Sequence, residues 1–168
     1  MSPVLRYSWR VLLPDYAGSA IGLAFSLVPL ALVHPAGPVA WVLAAAGALF
    51  LVYFGRTVCR QLTHIELDET GVRVRAPAVG LLGAAIRWDS LRSLRLDYYS
   101  TRRDPDGRTM QGGWMQLRLR DARHAIRMDS ELDGFVELVR VAVHEARRRG
   151  VDMDGPTRAN LEVLGLAE

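Results

Sequence analysis

Lysine is absent from the 168 residues, and all twenty-one basic side chains are arginine. Mechanisms that run through a lysine, such as a Schiff base or the Walker A phosphate contact, are therefore excluded. Cysteine occurs once, as Cys59, which rules out an intrachain disulfide and a cysteine-based zinc cluster. The four histidines, His34, His64, His124 and His144, are scattered, and "HEARR" carries Arg148 where a HExxH zinc motif needs its second histidine. A Gly-rich phosphate loop and a nucleophile elbow are also missing. The pattern therefore supplies no catalytic, cofactor-binding or metal-ligating residue, and the expectation is a protein that is not an enzyme. An enzyme without a recognisable motif is the third reading, after two binding roles.

Charge is missing over one long stretch. From Tyr16 to Gly55 there is no Asp, Glu or Arg. A run of this length exceeds any buried strand or core helix and fits two membrane spans, about 16–33 and about 39–55, separated by the turn "HPAGP". Each span rises about 26 Å, a little short of a hydrocarbon core of about 30 Å. Arg6 and Arg10 precede the first span, Arg56 and Arg60 follow the second, and the turn is uncharged. The positive-inside rule then places both termini in the cytoplasm. Gly18 and Gly22, and Ala44 and Ala48, are small residues spaced for close packing of the spans on each other or on a second copy. Pro29 is expected to kink the first span, and "SPVLRYSW" to form a short interfacial helix.

Beyond Arg60 the apolar period becomes two. Ile65 and Leu67, then Val72 and Val74, read as a hairpin around Asp68-Glu69-Thr70-Gly71, with Gly71 as the residue that tolerates positive φ. "GAAIRW", "RSLRLDYYS", "GWMQLRLR" and "HAIRMD" continue as strands, giving a six-stranded antiparallel meander with one buried face. The period then becomes helical. Ser130 is the expected N-cap; Leu132, Phe135, Val136, Val139, Val143 and Ala146 form the stripe, and Gly150 ends the helix. Pro156 opens a short last helix, docked on the domain or free for a partner.

This order of parts, together with "AAIRWDSLRSLRL", resembles small bacterial membrane proteins of the bacterial PH-like and YcxB-like groups, over most of the chain. The resemblance implies an α+β membrane protein: a two-helix transmembrane hairpin (1–60), a cytoplasmic PH-like antiparallel domain closed by a C-terminal helix (61–150), and a short helical tail (151–168). It also implies residence in the bacterial inner membrane. Phosphoinositide-binding PH domains use a basic first hairpin with Arg-x-Arg on the second strand. Here "GVRVR" supplies Arg73 and Arg75, but the turn is the acidic Asp68-Glu69, which would repel a phosphate.

Arginines define the candidate sites. Arg73, Arg75, Arg87, Arg95, Arg118, Arg120 and Arg127 alternate with inward residues and so are expected on one outer sheet face. There they either form cross-strand pairs with Glu66, Asp97 and Asp121 or dock an acidic partner. Arg73, Arg75, Arg95, Arg118 and Arg120 are the partner-binding candidates, the partner being another protein or a second copy. The alternative is lipid-headgroup sensing by Arg102, Arg103 and Arg108 in "STRRDPDGRTMQGG", with Leu81 and Leu82 of "APAVGLLGA" dipping into the interface. Residues 61–168 carry seventeen arginines and seventeen acids, without the basic excess expected of a nucleic-acid-binding domain.

Overall fold

Two kinds of periodicity produce two compact units, Tyr7–Thr63 and a second assembled from Met1–Arg6 with His64–Glu168. The computed structural model describes residues 4–75, 84–100 and 113–166.

The first unit is a helical hairpin, α1 (Trp9–Leu32) and α2 (Gly37–Gln61), joined by a turn in which His34 adopts a φ of 50°. Pro38 sits at the start of α2, where its missing N–H costs no helical bond. Ser19, Gly22 and Ser26 form a buried line on α1. Phe50 of α2 lies where a Cβ on Gly22 would be, so Gly22 sets the close approach, whereas the space beside Gly18 is open. Ser19 and Ser26 donate to the carbonyls of Asp15 and Gly22 at 2.8 Å, which satisfies their hydroxyls within α1. Both helices are longer than the charge-free spans and reach about 36 Å. A polar cluster gathers around their extra turns: Tyr53 donates to Asp15 at 2.7 Å, Tyr16 donates to Gln61, and the Arg60 guanidinium stands 4.6 Å over the ring of Tyr7, which precedes α1.

Among the described residues the second unit has seven strands in two sheets. β1 (Val4–Arg6), β2 (His64–Leu67), β3 (Gly71–Arg75) and β4 (Ala85–Arg87) form one; β5 (Ser93–Ser100), β6 (Gly113–Arg120) and β7 (Ala125–Asp129) form the other. All neighbours are antiparallel. The single six-stranded meander expected from the sequence is thus corrected to sheets of four and three strands. The segment expected as an interfacial helix supplies an extra strand, with Leu5 opposite Ile65 and Arg6 opposite His64. The break between the sheets is a 3-10 turn, Trp88–Ser90.

Trp88 is buried there. Its indole N–H donates to the Asp68 carbonyl at 3.1 Å, and its backbone N–H donates to the Thr70 carbonyl at 2.9 Å. The Asp68 carboxylate accepts from the backbone N–H groups of Thr70 and Gly71, both at 2.8 Å. The acidic hairpin turn is therefore a self-satisfied Asx turn anchored by the tryptophan. Gly71 does not have the positive φ expected of it. Glycine is required because a Cβ would run into the Ile86 carbonyl of β4.

The buried sides of both sheets and helix α3 (Phe135–Arg148) supply the core. They contribute Ile65, Leu67, Val72 and Ile86; Leu94, Leu96, Leu117, Leu119 and Met128; and Phe135, Leu138, Val139, Ala142, Val143 and Ala146. Val136, expected in the stripe, is 41% exposed. Ser130 does not cap α3. It prolongs the sheet by exchanging hydrogen bonds with Met115, and Gly134, at φ 82°, begins the helix four residues later than Ser130 implies. A Cβ on Gly134 would lie 2.7 Å from the Leu5 side chain, so β1 occupies the space this glycine leaves. Gly150, at φ 66°, ends α3 with Val151 donating to the Ala146 carbonyl, a Schellman closure.

The tail helix α4 (Gly155–Val163) carries Pro156 in its first turn, as expected of a helix opened there, and is docked. Asp154 caps it, and Thr157 and Leu161 are each 1% exposed. The Thr157 hydroxyl accepts from Leu96 N–H at 3.1 Å, and Asn160 donates to the Leu96 carbonyl at 2.7 Å. Two side chains thus occupy the backbone groups that β5 presents on its open edge.

Candidate functional site

The outward residues of β5, β6 and β7 form rows across the three strands. Tyr99 lies opposite Trp114; Asp97 opposite Gln116, itself opposite Asp129; Arg95 opposite Arg118, itself opposite Arg127; Arg120 opposite Ala125. Strand alternation dictates this, because the intervening residues Leu94, Leu96, Met115, Leu117, Leu119, Ile126 and Met128 are buried. Directly opposed residues stand about 5 Å apart at Cα, so Arg95, Arg118 and Arg127 place three like charges side by side.

Their surroundings compensate unequally. Arg118 is the most enclosed: its Nε donates to Gln116 at 3.0 Å and lies 3.2 Å from Asp97, and a terminal nitrogen donates to the Tyr99 hydroxyl. The Tyr99 ring stacks on Trp114 with centroids 5.3 Å apart, and Trp114 is 40% exposed. Arg95 lies 3.5 Å from Asp154. Arg120 and Arg127 enter no ion pair among the described residues.

Asp121 follows Arg120 but does not neutralise it. Its carboxylate is turned into the β6–β7 turn, accepting from the backbone N–H groups of Arg123 at 2.6 Å and His124 at 2.5 Å. Those bonds, His124 first, hold the carboxyl below its ordinary value. The result is a concavity of about 420 Å³ lined by Arg95, Arg118, Arg120, Arg123, Arg127 and His124, with no Asp or Glu among its described lining residues.

The other partner-binding candidates lie elsewhere. Arg73 and Arg75 are on the outer face of the first sheet, where both pair with Glu66 at 3.8 and 3.0 Å. Arg87 pairs with Asp89 at 2.6 Å. The single outer face expected for all seven arginines is corrected to two faces, because the chain changes sheets between β4 and β5. The first is neutralised in cross-strand fashion; the second carries the surplus. Arg102, Arg103, Arg108, Leu81 and Leu82, the lipid candidates, lie outside the described residues. Sequence reasoning misses Arg123 and His124, which belong to a turn rather than to the strand alternation. It also misses the Tyr99–Trp114 stack, which only the β5–β6 register reveals. Among the described residues no three His, Cys, Asp or Glu side chains gather as metal ligands.

No family model, curated protein or solved structure matches the chain.

Proposed function

We propose that this chain is a membrane-anchored module with a PH-like domain that docks an acidic protein partner at the cytoplasmic face of a bacterial inner membrane. The observation that carries the reading is the outer face of β5–β7: a surplus of arginines on a rigid sheet, of which Arg120 and Arg127 enter no ion pair among the described residues, beside an exposed Trp114. Strand-borne arginines meet a partner's carboxylates with little ordering cost, and a stacked, half-exposed tryptophan is a ready anchor for the centre of an interface.

Membrane anchoring is supported by the apolar exposure of the helical hairpin. Phe25, Trp41 and Val52 are 76%, 78% and 70% exposed, which suits lipid and not water. Both helices are long and apolar enough to cross a membrane. A cleaved signal sequence is the rival use of α1, but β1 precedes α1 and pairs with β2. That pairing supports placing the two ends of the hairpin on one side of the membrane, and the flanking arginines favour the cytoplasm. The PH-like reading rests on the seven strands among the described residues, in sheets of four and three, closed by a C-terminal helix.

The test places a photo-crosslinking benzoylphenylalanine at position 114 of the full chain in cells. The reading expects one adduct with a protein whose contact surface is acidic, lost in the double variant Arg95→Glu, Arg120→Glu and retained in Arg73→Glu. Arg118 is avoided because its reversal would break its own contacts with Asp97 and Tyr99. Adducts with lipid alone, or protein adducts indifferent to the charge reversal, would overturn it.

A further inference from the structure

The basin at the β6–β7 end of this face has a composition that a docking surface does not require. Five arginines converge on about 420 Å³, and three of them, Arg120, Arg123 and Arg127, enter no ion pair among the described residues. A single arginine saturates a carboxylate through a bidentate fork, whereas a phosphate dianion presents three acceptor oxygens and can be held by several guanidinium groups at once. The volume lies in the range of small-molecule sites, yet the lining is polar, so the matching ligand is compact and highly charged.

We infer that the basin formed by Arg95, Arg118, Arg120, Arg123 and Arg127 binds a small soluble anion carrying two or more phosphate groups. Arg118 is fixed by Asp97, Gln116 and Tyr99 and forms the rigid floor. Arg120 and Arg127, which enter no ion pair among the described residues, supply the charge that the ligand neutralises. Asp121, engaged by the turn backbone, does not compete for them. The like-charge row is unfavourable in the free protein, and a bound polyanion converts that repulsion into affinity. The site goes beyond the docking proposal and does not depend on it. The two share Arg95 and Arg120, so an occupied basin would weaken the pull on an acidic partner.

The experiment titrates inorganic pyrophosphate into the full chain in phosphatidylcholine nanodiscs by calorimetry. The expected result is saturable binding of one equivalent, weakened about tenfold or more by Arg127→Gln, the effect of losing one charge-assisted contact, and unchanged by Arg75→Gln on the other sheet. Glutarate, a dicarboxylate, should bind at least about tenfold more weakly, because each planar carboxylate engages fewer guanidinium groups. Absence of saturable binding, equal affinity for glutarate, or equal loss in Arg75→Gln would overturn the inference. So would binding that arises only when the phosphate is presented as phosphatidic acid in the bilayer. Failure here with Arg95- and Arg120-dependent crosslinking intact removes the phosphate site and leaves the docking reading; the reverse pattern removes docking alone.

Discussion

Arg127 stands directly opposite Arg118, and no carboxylate among the described residues pairs with it. Like charges so placed destabilise a sheet, and an opposite pair contributes roughly 0.2–1 kcal/mol. Arg127→Glu should therefore raise the midpoint of denaturant unfolding while abolishing the basin's affinity for anions; a fall in midpoint would mean that Arg127 makes contacts its position does not suggest. Acid acts at the same scale. Asp68, held by Thr70, and Asp121, held chiefly by the His124 backbone, have carboxyls below their ordinary value of 3.8, and so does Asp154, held by Thr157. A depressed folded-state value contributes stability that is present above 3.8 and lost as pH falls through the folded value. Thermal unfolding should thus change little from about pH 7 to about pH 5 and weaken below about pH 4. A midpoint that falls already near pH 6 would point to histidine instead.

At the scale of elements, α4 and β5 form one structural device. Asp154 caps α4 through Thr157, and the Thr157 hydroxyl accepts from Leu96 N–H. Asp154→Ala removes the cap and should cost about 1 kcal/mol. It should also speed amide exchange at Leu96 more than at Leu117, on the central strand of the same sheet. Equal exchange at both positions would show that α4 does not guard the edge. Val139, fully buried on α3, tests the other side of the core: Val139→Asp leaves an unpaired buried charge and should cost several kcal/mol, enough to unfold a marginal domain.

Elements of this kind are legible in sequence when their period is long and clean. The alternation of β5 to β7 and the stripe of α3 are readable from spacing, as are Gly150 and Pro156 at helix ends. Three features are not. β1 has only three residues, and its partner lies some sixty positions away, beyond the apolar hairpin. The change of sheet at Trp88 depends on hydrogen bonds from the indole and backbone to the first hairpin turn, which no periodicity encodes. Ser130 has the chemistry of a cap but is taken by the sheet, because Met115 offers it a ladder partner. The candidate site was visible only in half. Alternation identifies Arg95, Arg118, Arg120 and Arg127, while pairing register and turn geometry add Arg123 and decide which arginines meet and which are neutralised.

For the molecule as a whole, the decisive feature is that the helical hairpin interrupts a β unit between its first and second strands. Arg6 and His64 are paired residues on adjacent antiparallel strands, so residues 7–63 occupy the position of an ordinary hairpin turn. On the proposed membrane reading, reporters fused at the N-terminus, at Ala36 and at Glu168 should read inside, outside and inside. The most direct test of the architecture deletes residues 7–63 and joins Arg6 to His64 through Asn-Gly, the dipeptide suited to a two-residue hairpin turn. The account predicts a soluble chain that unfolds cooperatively, protects the Leu5 amide from exchange, and is more stable than residues 64–168 expressed alone. A spliced chain no more stable than 64–168, with Leu5 unprotected, would contradict the insertion of the hairpin into the β unit.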